Sequence, residues 1–227
     1  MTNRSAHATR WIPVAILAAV LASPLLADTR LGRRVRDATE VYKELMKSAD
    51  RGVPEALLKD CRCVAVIPGV IKGAMGYGAR YGHGLISCRD SAGAWSPIAF
   101  LTLTGGSLGF QIGAERTDFV LFFMSDRGAR SLIHSQFTLG GKVSVAAGPA
   151  GRSAEASTDI KLDAEIYSYA KSKGLFAGVS LEGARLAPDN KAIGEYYGKR
   201  VSAESLLFGH TAPKNPPEAK EFRSALP

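Results

Sequence analysis

Cysteine, histidine and tryptophan are scarce: three, four and two residues among 227. There is no H-E-x-x-H and no set of Cys and His at metal-ligand spacing, so the common zinc sites are excluded. The pairs Gly76/Gly78 and Gly82/Gly84 complete no G-x-G-x-x-G before a helix, and GVIKGAMG lacks the GK[ST] of a phosphate loop. No run interleaves basic and aromatic residues as nucleic-acid readers do. Internal repeats and domain linkers are missing too, which points to a single domain. No cofactor, metal or nucleic acid is expected.

The amino terminus reads as a processing signal. Arg4 and Arg10 precede an apolar run, Trp11 to Leu26, and Ala27 offers a small residue before Asp28. This is the pattern of a secretory signal peptide, with cleavage expected after Ala27. The run is shorter than the roughly 20 residues of a spanning helix. The chain is then expected to be periplasmic or secreted. Cys61, Cys63 and Cys88 are an odd number for an oxidising compartment. Cys88 would pair with Cys61 or Cys63 if their strands are neighbours; otherwise the thiols are buried.

What is abundant is glycine, 24 residues, concentrated from Cys63 to Gly151 among Val, Ile, Leu and Phe. A flexible linker lacks such aliphatic density. A helix is disfavoured, since each interior Gly costs about 1 kcal/mol against Ala. Short strands remain, with glycines at bends and close approaches. Expected strands are 64–67, stopped by Pro68-Gly69, then 72–81, 84–89, 95–104, 107–114 and 117–125. FVLFFM should be buried on both faces. Later strands are expected at 137–147, 164–171, 175–182 and 184–186, with Lys173-Gly174 as a hairpin turn.

Helices should flank this sheet. Val35, Ala38, Tyr42, Leu45 and Ala49 recur at helical spacing in 30–50. Arg30, Arg33, Arg34 and Arg36 crowd the start of that helix, the unfavourable end for cations. Further helices are expected after Pro54, at 127–134, 190–197 and 203–208. The fold class is α+β: a strongly curved, Gly-rich antiparallel sheet flanked by helices. Residues 28–208 form the domain, and 209–227 has little to bury and reads as a disordered tail.

GGSLG, from Gly105 to Gly109, fits the G-x-S-x-G of hydrolase elbows around Ser107. That motif needs a helix after it, yet FQIGAE alternates like a strand. A triad would draw its imidazole from His134 or His210, and its acid from Asp118, Asp126, Asp159 or Asp189. Nothing selects among these, so a serine hydrolase is the weaker reading. His83, in GHG, reads as a surface turn residue.

The stretches VAVIPGVIKGAMGYGARYGHGLI, WSPIAFLTLTGGSLGFQIGAERTDFVLFFM, VAAGPAGRSAEASTD and GLFAGVSLEGARL resemble the SYLF lipid-binding domain family. The resemblance runs from about Val35 to Tyr197, and it places GGSLG in the family's structural glycine pattern. It implies phospholipid binding without catalysis. Eukaryotic members bind phosphoinositides and some bind actin; bacterial members are exported, often as lipoproteins. No cysteine follows the apolar run here, so attachment to a membrane would be reversible. An exported chain would meet no actin. The formal charge of +8 fits an anionic surface. Removing Arg4 and Arg10 with the signal lowers it to +6. Headgroup contacts are expected from Lys72, Arg80 and Arg89 in the Gly-rich strands and from Arg33, Arg34 and Arg36 on the first helix. Lys142 and Arg152, near turns, could join them. A periplasmic protein that binds a protein partner through the Gly-rich strands is the alternative.

Overall fold

A computed structural model describes residues 29–48, 53–134, 137–141, 143–149, 163–209 and 216–227, without the side chains of 74–77, 107–114 and 134. The signal segment, Lys142, Arg152, Asp159 and His210 lie outside the described residues.

Two long strands carry the architecture. β1 (Cys63–Cys88) has 26 residues and β2 (Ala99–Phe123) has 25, and they pair antiparallel from Cys63↔Phe123 to Ile86↔Ala99. The expected breaks within this stretch do not occur. A glycine still offers its N–H and C=O to a ladder, so the pairing runs through. Pro68-Gly69 does not stop the strand either. It forms an irregularity between Ile67 and Val70, with Gly69 at φ 61°, and a second register shift follows between Ala74 and Gly76. Asp90 turns the ribbon by accepting from the Ala92 and Ala94 N–H groups at 2.9 and 2.8 Å.

The ribbon curls until the two ends of β1 meet. The Arg89 N–H donates to the Arg62 carbonyl at 2.7 Å, and a disulfide joins Cys63 to Cys88. Cys61 remains reduced and buried. Curling also brings Gly84 against the first half of its own strand. A Cβ there would stand 2.3 Å from the Val66 carbonyl oxygen, so no side chain fits.

The other edge of β2 is shared. β5 (Ile166–Ser172) pairs along 118–123, and β7 (Arg185–Pro188) along 101–104. β6 (Leu175–Gly178) forms a hairpin with β5 through Lys173 and Gly174, both at positive φ. β3 (Phe137–Thr138) extends β7, and β4 (Val145–Ala147) lies parallel to β5, the one parallel pairing among the described residues. Flanked on both edges, FVLFF is buried throughout.

α1 (Arg30–Lys47) starts at Thr29, whose Oγ1 accepts from the Gly32 N–H at 3.0 Å. It buries Leu31, Val35, Ala38, Val41, Tyr42 and Leu45 at 6% exposure or less, among them Val35, Ala38, Tyr42 and Leu45 of the predicted stripe, while Ala49 lies outside the described residues. α2 (Glu55–Asp60) and α3 (Asp126–His134) follow their predicted positions, as do α4 (Asn190–Tyr197) and α5 (Ala203–Leu207). The expected disordered tail needs correction. Residues 217–225 form α6 (Pro217–Ala225), which buries Ala219 and Phe222 against α1 and ties Glu221 to Lys43 at 2.7 Å. Two prolines and several charges masked a short amphipathic helix that starts at its own proline. Among the described residues no helix is long and apolar enough to cross a membrane.

Candidate functional site

Helical spacing places Arg30, Arg33, Arg34, Asp37, Glu40 and Glu44 on one face of α1, beside the buried stripe, with Val41 at the boundary between the two. That face looks across a cavity of about 750 Å³ toward the curled ribbon. The opposite wall is built by Pro68, Gly69, Ile71, Tyr81, Gly82 and His83 of β1, by Arg116 and Asp118 of β2 and by Lys171 of β5. The Pro68-Gly69 irregularity shapes this wall. Its Gly69 N–H donates to Asp118 Oδ1 at 2.7 Å, and the Arg116 side chain lies over the same glycine. Ile71 and Tyr81 are half exposed at the rim, two of the three large hydrophobic residues so exposed among those described.

A polar cluster gathers around Arg34 and His83. Asp189 caps α4 by accepting from the Ala192 N–H at 3.0 Å, and its other oxygen lies 3.8 Å from Arg34 Nη1 and 3.5 Å from His83 Nδ1. His83 also meets Tyr81 through Nε2 at 2.9 Å and Thr102 Oγ1 through Nδ1 at 3.3 Å. Burial, then the charge of Arg34, holds the His83 imidazole below its ordinary pKa, with Asp189 opposing. Burial also lowers Arg34, which stays charged because a guanidinium titrates so far above neutrality. Arg34 stands 5.6 Å from the Phe100 ring centroid, and its buried Nη1 has no hydrogen-bond partner.

The other charges of the cavity divide into engaged and open ones. Lys171 is bound to Glu44, and Arg30 reaches Glu195 only at 3.8 Å, with both side chains more than half exposed. Arg116, Asp37 and Glu40 have no ion pair among the described residues.

Of the residues expected at a headgroup site, Arg33 and Arg34 line this cavity; Arg36, Lys72, Arg80 and Arg89 do not. Lys72 faces Glu115 in the register of the ribbon, and Arg80 lies against Gly105. Arg89 is engaged elsewhere: it donates to the Lys59 carbonyl at 2.9 Å and to a Pro227 oxygen at 2.5 Å, and stacks over Trp95. Arg30 belongs with Arg33 and Arg34 by its i, i+3, i+4 spacing, a signal present in the sequence. Arg116 and Lys171 reach the cavity, and Asp189 reaches its Arg34 and His83, through strand register and chain return, which local pattern does not encode. His83 is a half-buried strand residue rather than a surface turn residue.

Ser107 sits mid-strand opposite Gly78, with β2 continuing to Phe123. The strand-to-helix turn of a nucleophile elbow is not formed there. Among the described residues no group of three His, Cys, Asp or Glu side chains is placed to hold a metal.

Residues 104–227 match the family model described as "Ysc84: Las17-binding protein actin regulator". Protein YSC84 of Saccharomyces cerevisiae is 36% identical over 199 residues, covering 83% of this chain and 42% of that protein. LAS seventeen-binding protein 3 of the same species is 38% identical over 194 residues, covering 83% of this chain and 41% of that protein. Human SH3 domain-containing YSC84-like protein 1 is 32% identical over 193 residues, covering 85% and 55%. The chain thus spans about half the length of the curated relatives it matches. With the family model matched over more than half its length, this chain belongs to the Ysc84, or SYLF, family.

Proposed function

We propose that this domain binds phospholipid at a membrane surface, without catalysing a reaction, by seating an anionic headgroup in the cavity between α1 and the ribbon. One observation carries the reading. Arg30, Arg33, Arg34 and Arg116 converge on a cavity whose rim exposes Ile71 and Tyr81. Cations near an anionic bilayer gain roughly 1 kcal/mol each. Apolar rim residues that enter the interface add about 25 cal/mol per Å² buried. The Arg34 Nη1, which has the Asp189 carboxylate at 3.8 Å but makes no hydrogen bond, is a donor that a phosphate oxygen would satisfy.

Residues 1–27 support export, with the mature chain periplasmic or secreted and peripheral to the membrane. N-terminal sequencing of the protein recovered from fractionated cells tests this, and an intact Met1 would overturn it. Co-sedimentation with vesicles of defined headgroup, at low and high salt, tests the lipid reading. Salt-sensitive pelleting with anionic vesicles is expected, and Arg33→Glu with Arg116→Glu should abolish it. Wild-type protein that stays in the supernatant at low salt would overturn the proposal. Hydrolysis of a reporter ester that disappears in Ser107→Ala would overturn the non-catalytic part.

A protein partner is the second reading. It rests on the relatives' names, which record binding to Las17. It predicts that the chain retains a partner protein while ignoring vesicles of every headgroup.

A further inference from the structure

Charge in the cavity is sorted along α1. The first turns present Arg30, Arg33 and Arg34, and the next turns present Asp37, Glu40 and Glu44 on the same face. Glu44 is already bound by Lys171, and Asp118, on the far wall, accepts from the Gly69 N–H. Asp37 and Glu40 are exposed, line the cavity, and have no ion pair or hydrogen bond among the described residues. A site for phosphate alone gains nothing from two open carboxylates beside its cations, because each repels the ligand. They fit a ligand with a cation of its own.

We propose that the headgroup bound here carries a primary ammonium next to its phosphate, as phosphoethanolamine and phosphoserine do. The proposal rests on the lipid reading above and refines it. The phosphate lies among Arg30, Arg33 and Arg34, with Arg34 Nη1, which makes no hydrogen bond of its own, as one donor. The ammonium lies one turn further along α1, about 5.4 Å on, where Asp37 and Glu40 accept its N–H bonds. An ethylene tether spans that step. A quaternary ammonium has no N–H to donate, and a glycerol or inositol headgroup leaves both carboxylates unanswered.

The test combines vesicles and soluble headgroups, each with wild type and with Asp37→Asn/Glu40→Gln, a pair of exposed, near-isosteric changes. Phosphatidylcholine vesicles are doped equally with phosphatidylethanolamine, phosphatidylserine or phosphatidylglycerol. Calorimetry compares glycerophosphoethanolamine with glycerol phosphate. Wild type should prefer the amine-bearing member of each set. The double variant should lose about tenfold toward it, roughly one charge-assisted hydrogen bond, and hold or improve its binding to phosphatidylglycerol. Equal binding to amine-bearing and glycerol headgroups, unchanged in the variant, overturns the ammonium assignment and leaves lipid binding standing. Binding of glycerophosphoethanolamine without pelleting on any vesicle supports the site chemistry and assigns it to a soluble ligand. No binding in either format overturns both readings.

Discussion

At Gly84 the strand meets its own first half, and a methyl group would be forced against the Val66 carbonyl oxygen and Ile67. Backbone cannot yield there, so Gly84→Ala should cost about 3 kcal/mol, the upper part of the overpacking range. Gly73→Ala is its control, since nothing lies within 4 Å of a Cβ at that position; it should change stability by less than about 0.5 kcal/mol. Urea unfolding of the two variants separates them. His83 is the residue that gives the cavity a pH response. Its folded pKa is held down by burial and by Arg34, so between that value and about 6.5 the unfolded chain binds more protons. The stability it contributes is full above about pH 6.5 and is lost as pH falls through the folded value. The stability of the wild type should therefore drop more steeply than that of His83→Gln between neutrality and mild acid. Equal slopes in pH-resolved unfolding would show that His83 is not the group responsible.

The elements were legible to different degrees, for physical reasons. α1 was readable because its stripe repeats at helical spacing, whereas its Thr29 cap was not singled out. The FVLFF segment was readable because burial on both faces leaves a continuous apolar run. The lengths of β1 and β2 were not, because glycine weakens a strand locally while the ladder of its partner carries it across. α6 was misread because its contribution rests on one aromatic, Phe222, inside a charged segment. Phe222→Ala should cost about 3 kcal/mol or more and loosen the cover over α1. Unchanged thermal unfolding would show that α6 contributes little. The Cys63–Cys88 pairing was left open in the sequence, since Cys61 and Cys63 are two residues apart and only the curl of β1 decides between them. Burial pushes the Cys61 thiol up to about 11, which leaves little thiolate at neutral pH. A thiol reagent should therefore label no cysteine in the native protein, one after denaturation and three after denaturation with reductant. Three reactive thiols after denaturation without reductant would refute the disulfide.

On the scale of the molecule, the sequence carried the composition of the cavity further than its assembly. A basic excess and a cluster of arginines on α1 pointed to an anionic surface, and two of the six nominated cations line the cavity. The other wall comes from residues about 40 to 140 positions away, brought in by the register of β1 with β2 and by the return of the chain through β5. No local rule yields those partners. The crosslink at the two ends of β1 has a mechanical consequence. Tension applied at the chain termini enters at Cys63 and leaves at Cys88 through sulfur, and the 25-residue interval between them bears no load. Stretched to its limit, the oxidised polypeptide should fall short of the reduced one by about 85 Å, at roughly 3.4 Å per residue. In optical-tweezer traces the hidden length would appear as a lasso that only a reductant can release.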